Sequence, residues 1–394
     1  MTNAPISNAQ PAAARLLLTE EHRCTPTPRW VHVLAAATAA LTFVLICWGG
    51  LVKSLQAGLA VPDWPLSYGQ PQMSIALGLF ATTVVLFGAL LYLRAKALAV
   101  LAIGSGCALI GTYFWFGPMP DWHTIANIRA EHGHRLIAGT VGFLTALLAA
   151  ALWRTDPRPW VRKLGWIALL AVVVQAVLGG ITVHTYLPPI VSASHAALAQ
   201  AFFALVVTLA AATSQSWFEA RPLLPQVDRK PLQRLCVLAV AAIFLQIILG
   251  TSVRHAPYDP AAGMDNTKFW WHFAGHGAGL LFVAHTVAMM LARVLRRHGD
   301  VAVLTHPAAL LAAVLGIQVL LGIGSLFVRL NEYGWDTTTW KVAVKTAHVA
   351  GGSLVLGAAV LLMLQAYRRV ARLDAPAAEK AAERTALLSQ GSAG

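Results

Sequence analysis

The sequence predicts an all-α, polytopic transmembrane helix bundle: two pseudo-symmetric four-helix halves plus a two-helix insertion, about ten spans in all. Three observations predict it. Of 394 residues, 57% are hydrophobic and only 11% charged, whereas an average soluble domain carries about 25% charged residues; so few charges cannot build a water-facing surface. The apolar runs are continuous, near the roughly 20 residues that a crossing helix needs, and they do not alternate as barrel strands do. Finally, the chain repeats itself, with one polar motif recurring at the same place in successive spans.

The first run, 31–52, is too long and too far from the start for a signal-peptide core. No small-residue cleavage site follows it, so it is expected to remain. Runs at 75–93 and 97–117 form the insertion. Runs at 133–153, 163–183 and 193–213 complete the first half, and 235–253, 272–292, 307–328 and 345–366 form the second. The organisation is therefore a tail (1–30), an N-terminal half (31–213), a linker (214–234), a C-terminal half (235–367) and a second tail (368–394). The tails are rich in Ala, Pro and Ser and are expected to be disordered.

The net charge of +13 invites a nucleic-acid reading, which its placement argues against. Counting both tails, 21 of the 29 Lys and Arg residues fall on one alternate set of connections, such as Arg154 to Lys163 and Arg293 to Arg297. By the positive-inside rule that side is cytoplasmic, with both termini inside; in a bacterial cell the membrane is the inner, plasma membrane. The cysteines, Cys24, Cys47, Cys107 and Cys236, form no CxxC, and neither a zinc site nor a disulfide framework is indicated.

The repeat places Gln175-Ala-Val-Leu-Gly-Gly, Gln246-Ile-Ile-Leu-Gly and Gln318-Val-Leu-Leu-Gly late in outward spans, with Trp48-Gly49-Gly50 in a similar place in the first. Inward spans then open with His134, His195, His276 and His348. His134 and His276 are 142 residues apart and Gln175 and Gln318 are 143, so each half carries two histidines at one depth, near the outer face. The glycines and glutamines read first as helix-packing residues. Two imidazoles on facing helices are what a bis-ligated haem iron needs, and we pair His134 with His195 and His276 with His348. Zinc would call for more ligands on one centre.

The first pair has an addition. In Glu131-His132-Gly133-His134-Arg135, Glu131 and His134 share a helix face, and His132 points away. Arg135 is a partner for either a haem propionate or Glu131. The second half has Phe273 in the place of Glu131, which suggests chemistry at one haem and plain binding at the other. His272 shares a face with His276. His123, His184 and His255 are placed in outer loops, and His285 in mid-span.

Gly49-Gly50-Leu51-Val52, the loop from Gly58 through Pro62-Asp63-Trp64-Pro65 to Tyr68-Gly69, the Glu131-His-x-His134-Arg135 motif and Leu187-Pro-Pro…Ser194-His195-Ala-x-Leu-Ala-Gln200 together resemble the haem A synthase family, also called the cytochrome oxidase assembly protein 15 family. The resemblance covers about 31–70 and 120–367. It implies an eight-helix enzyme of two four-helix halves that oxidises the C8 methyl of haem O to a formyl group, giving haem A for terminal oxidases. It implies His134 and His195 as ligands of the substrate haem, His276 and His348 as ligands of an electron-relaying haem b, and Glu131 as the catalytic carboxylate. Glu131 would either move protons or stabilise a cationic intermediate. Arg135 is a haem-contacting candidate. The implied partners are the lipid membrane, a haem O synthase handing over substrate, and an electron donor, quinol or ferredoxin-like; assembly as a homo-oligomer is left open.

Three features depart from the family pattern: the insertion at 75–117, the absence of an outer-loop cysteine, with Ser67 in the loop, and Gly277 where an Arg is expected after His276. His272 and Arg254 are candidate replacements for that Arg. A di-haem b electron-transfer protein would need the four histidines but neither Glu131 nor the Pro-Asp-Trp-Pro loop. A transporter would share the two-fold repeat.

Overall fold

The computed structural model describes residues 26–67, 126–218, 229–256, 258–259, 266–331 and 338–368. Eight long helices fill most of these residues: α1 (Arg29–Ser54), α2 (Ala126–Thr155), α3 (Pro159–His184), α4 (Pro189–Thr213), α5 (Arg229–His255), α6 (Thr267–His298), α7 (Ala302–Leu330) and α8 (Thr339–Arg368). A single turn, Gln215–Phe218, follows α4. All eight long helices have the length and hydropathy to cross a membrane, and the chain is a multi-pass membrane protein. The runs at 75–93 and 97–117 lie outside the described residues.

The eight helices coincide with eight of the expected spans and run past their apolar stretches. The helix backbone keeps its hydrogen bonds where the chain leaves lipid, so polar ends stay helical. The four histidines therefore do not open their helices. They sit about two turns inside, at a similar depth in each. His184 and His255, expected in loops, are the last residues of α3 and α5.

Each half closes on itself. α1 packs on α2 and α4, and α3 packs on the same two; α5 packs on α6 and α8, and α7 on the same two. α2 thus stands diagonally opposite α4, and α6 opposite α8. The two bundles meet along a seam of α1 and α4 against α8, with α4 also against α5. Small and polar residues set the seam: Gln200 Nε2 donates to Ser353 Oγ at 2.9 Å, and Phe203 lies against Gly357.

The packed core occupies one end of each bundle. In the first it is built by Val31, Ala35, Val141, Leu148, Leu152, Phe202, Val206 and Leu209, among others. In the second it is built by Leu232, Val283, Met290, Leu304, Leu311, Leu356 and Leu362 with their neighbours. Toward the other end this burial stops. No apolar side chain is fully buried between Ala130 and Val141, Ala168 and Val183, Ile243 and Ala256, Phe269 and Val283, Leu311 and Val328, or Val342 and Val355. A well-packed bundle buries one face of every turn. Here about 15 to 24 Å of most helices bury no apolar side chain completely.

The packed end is locked by a buried cluster. Asp156, in the α2–α3 turn, accepts from Arg158 Nε at 2.9 Å and Nη2 at 2.6 Å, and from Thr27 Oγ1 at 2.6 Å. Arg158 also donates to Ala212 O at the end of α4 and lies over the Phe218 ring. Burial works to raise the Asp156 carboxyl, but the bonds from Arg158 and Thr27 outweigh it and hold the group below its ordinary value of 3.8. A depressed carboxyl contributes stability that is present above 3.8 and lost as pH falls through the folded value. Asp156→Asn is expected to cost about 3 kcal/mol at neutral pH, and the gap to the unaltered protein should narrow below pH 4. Thermal unfolding in detergent across pH checks this; a gap that stays constant into acid would rule it out.

Candidate haem sites and the loop clamp

The histidines lie at the level of these stretches. Each ring rests on a glycine of a neighbouring helix. A Cβ added at Gly49 would meet His134 Cε1 at 3.0 Å, at Gly179 His195 Cε1 at 3.2 Å, at Gly250 His276 Cε1 at 2.8 Å and at Gly322 His348 Cε1 at 3.1 Å. These are the glycines of the repeated motif, and any side chain there would push the ring away. The glutamines four residues earlier fix the helix that carries the ring. Gln175, Gln246 and Gln318 each donate from Nε2 to the backbone oxygen of His195, His276 and His348, at 3.0, 2.9 and 2.9 Å. The expectation that these glutamines bond across helices holds. In α1, Leu45 stands where the glutamine would be, and His134 has no such bond.

His134 and His195 lie on diagonal helices of one bundle within electrostatic range of each other, as do His276 and His348 in the other. His134, His195 and His276 each keep a buried Nδ1 with no hydrogen-bond partner. Paired imidazoles on facing helices, seated on glycine and with ring nitrogens to spare, fit a flat group ligated from both faces. Among the described residues no three His, Cys, Asp or Glu side chains converge as a bare metal ion would need. Cys47 and Cys236 are free thiols; Cys24 and Cys107 lie outside the described residues.

The rest of the Glu-His-x-His-Arg motif faces a loop. Residues 55–67 leave α1, and α2 holds them down. Glu131, 4% exposed, accepts from Val61 N–H at 2.8 Å and from Arg135 Nη2 at 2.6 Å. Arg135 also donates to Val61 O at 2.6 Å, Leu66 O at 3.1 Å and Asp63 O. His132 Nδ1 pairs with Ser67 Oγ at 3.1 Å. Trp48 Nε1 donates to Ala130 O. At the far side the Trp64 ring covers Gly180, and His184 Nε2 lies 3.2 Å from Trp64 O. The Trp64–Pro65 peptide is cis. Of the two partners weighed for Arg135, the guanidinium takes Glu131, and the carbonyls of the Pro-Asp-Trp-Pro loop take the rest of it.

The second half shows the same idea in other chemistry. Phe273 replaces Glu131 and Gly277 replaces Arg135, so the ion pair is absent as a unit. Phe273 instead stacks on Phe269 at 6.3 Å between centroids, and Phe269 meets Tyr258 of the α5–α6 connection at 4.7 Å. Gly277 therefore removes one half of a loop clamp. His272 is exposed on α6, whereas Arg254 reaches Gly50 O and Ser54 Oγ on α1 at 3.1 and 3.0 Å. The glycine seats and the bonds of Arg254 to α1 were not assigned from sequence, although a Gln-x-x-x-Gly spacing repeated ahead of each of three histidines was a usable signal.

Fold and site together define a class: a membrane helix bundle with two internally repeated pairs of histidines. A model of the cytochrome oxidase assembly protein family (COX15-CtaA) matches residues 123–330. That is more than half of the chain, and the chain belongs to this family, the one its motifs resemble. No curated protein and no solved structure matches it.

Proposed function

We propose that this protein is a haem A synthase, oxidising the C8 methyl of haem O to a formyl group. The observation that carries the reading is the two pairs of facing histidines on glycine seats, only one of which has a carboxylate beside it. His134 and His195 hold the substrate haem; His276 and His348 hold a haem b. A haem bound there supplies one-electron transfer to the first bundle. Glu131 is the catalytic carboxylate: one helical turn from His134, with Arg135 on one oxygen and the Val61 amide on the other. That engagement supports a fixed negative charge facing developing positive charge over a mobile proton carrier. The histidine end faces outward, and the basic connections face the cytoplasm.

Purified from cells that also make haem O, the protein is expected to yield haem A by pyridine haemochrome and mass spectrometry. Recovery of only haem O or haem B would reject the activity. Glu131→Ala should still bind haem and accumulate no haem A; full conversion in that variant would remove its role. One observation favours a second reading, a di-haem b electron-transfer protein: the loop clamp engages both Glu131 oxygens. That protein would hold haem b alone and be reduced rapidly by quinol, with haem O left unchanged.

A further inference from the structure

The repeated glutamines touch more than the backbone. Gln175 Nε2 lies 3.3 Å from His195 Nε2, Gln246 Nε2 3.5 Å from His276 Nε2, and Gln318 Nε2 3.1 Å from His348 Nδ1. In each case one ring nitrogen faces the amide and its twin is left over. The amide oxygen is idle in all three copies: Oε1 of Gln175, Gln246 and Gln318 is buried and has no hydrogen-bond partner among the described residues. A buried acceptor left idle costs free energy, yet the chain makes room for it. A Cβ at Gly279 would run into Gln246 Oε1, and one at Gly351 into Gln318 Oε1; each glycine stands three residues after its histidine.

A neutral imidazole has one lone pair and one N–H. A ring that gives its lone pair to a metal through one nitrogen carries the proton on the other, and that proton needs an acceptor. Here the other nitrogen is the one beside the amide. A half-turn of the amide brings the idle oxygen to the ring N–H, and gives up only a second bond on a carbonyl that already has its helical partner.

His134 is the exception. Leu45 stands four residues before Gly49, where the other three seats have glutamine, and Ile137 stands where Gly279 and Gly351 house an amide. The His134 Nδ1 is buried with no partner among the described residues. The unsupported ring belongs to the pair assigned above to the substrate. A substrate haem must arrive and its product must leave, whereas a resident haem must stay. One weakly held ligand in the first pair and two supported ones in the second match that difference.

We propose that Gln175, Gln246 and Gln318 are positioning residues that take the ring proton of His195, His276 and His348, and that His134, with leucine in that place, is the ligand that lets go when the haem of the first pair is exchanged. This rests on the bis-histidine reading above and adds which of the four histidines is labile.

The test uses full chains with one pair removed, His276→Ala with His348→Ala or His134→Ala with His195→Ala, each loaded with haem b as the probe. Ferrous samples are mixed with carbon monoxide, which binds only as fast as a histidine leaves, and the reduction potential is read on the same samples. The first pair is expected to take up carbon monoxide about tenfold faster than the second. Leu45→Gln should slow the first pair by about the same factor and lower its potential, because a ring that shares its proton stabilises oxidised iron. Gln246→Met should do the reverse in the second pair, and Gln246→Glu, which keeps the oxygen, should restore the slow rate. Circular dichroism confirms folding; where Leu45→Gln does not fold, the Gln246 variants decide. Equal rates in the two pairs, or rates and potentials unmoved by these substitutions, overturn the proposal and leave the bis-histidine reading standing. Loss of haem from Gln246→Met with the potential of the remainder unmoved assigns the glutamine to packing and also overturns it. Failure of both pairs to take up haem overturns the bis-histidine reading, and this proposal with it.

Discussion

Arg135→Leu is expected to lower stability by about 3–5 kcal/mol, the cost of leaving a buried charge without its partner. Arg135 is 7% exposed and Glu131 4%, and the guanidinium also holds three loop carbonyls. The loss should be local before it is global. Hydrogen exchange across residues 56–66 should rise strongly, while α5 to α8, which share none of these bonds, stay protected. Adding Glu131→Gln to Arg135→Leu should recover part of the stability, because the stranded carboxylate is then gone. Unchanged exchange in the loop would show that the clamp does not hold it.

Gly250→Val should empty the second bundle of its haem and leave the first loaded, so that haem content falls to about half, since a ligand ring moved by even an ångström loses its bond. The new Cβ would stand 2.8 Å from His276 Cε1, closer than carbon atoms approach. The branched side chain also forbids the ring's old position. Gly179→Val should do the converse at His195, where the approach is 3.2 Å. Gly316 and Gly142 have nothing within 4 Å of an added Cβ, so alanine at either should leave haem content unchanged. Equal haem loss from both bundles in either valine variant would show that the seats are not separate.

The fold was legible because lipid imposes it. A helix in hydrocarbon must satisfy its own backbone and present about 20 apolar residues, and each described span announced itself that way. Helix ends were less legible, since apolarity stops at the headgroups and the helix does not. The histidine pairs were legible because polar residues are rare in such a chain and these recur with the repeat. The clamp was not. Glu131 and Arg135 read as a site because charge in a membrane usually is one, but only the folded loop shows which backbone groups they hold. Arg254 stood out as a stand-in for the Arg missing after His276, but its partners did not: Gly50 and Ser54 lie about 200 residues away on another bundle.

Gly49 and Gly50 are neighbours in sequence and belong to different rooms. The first lies under the His134 ring; the second lies against Val349 and Thr346 of α8 and accepts from Arg254 of α5. α1 is a party wall one peptide unit thick at this level. Neither histidine site can be re-spaced by itself: a shift of that wall that loosened one would tighten the other.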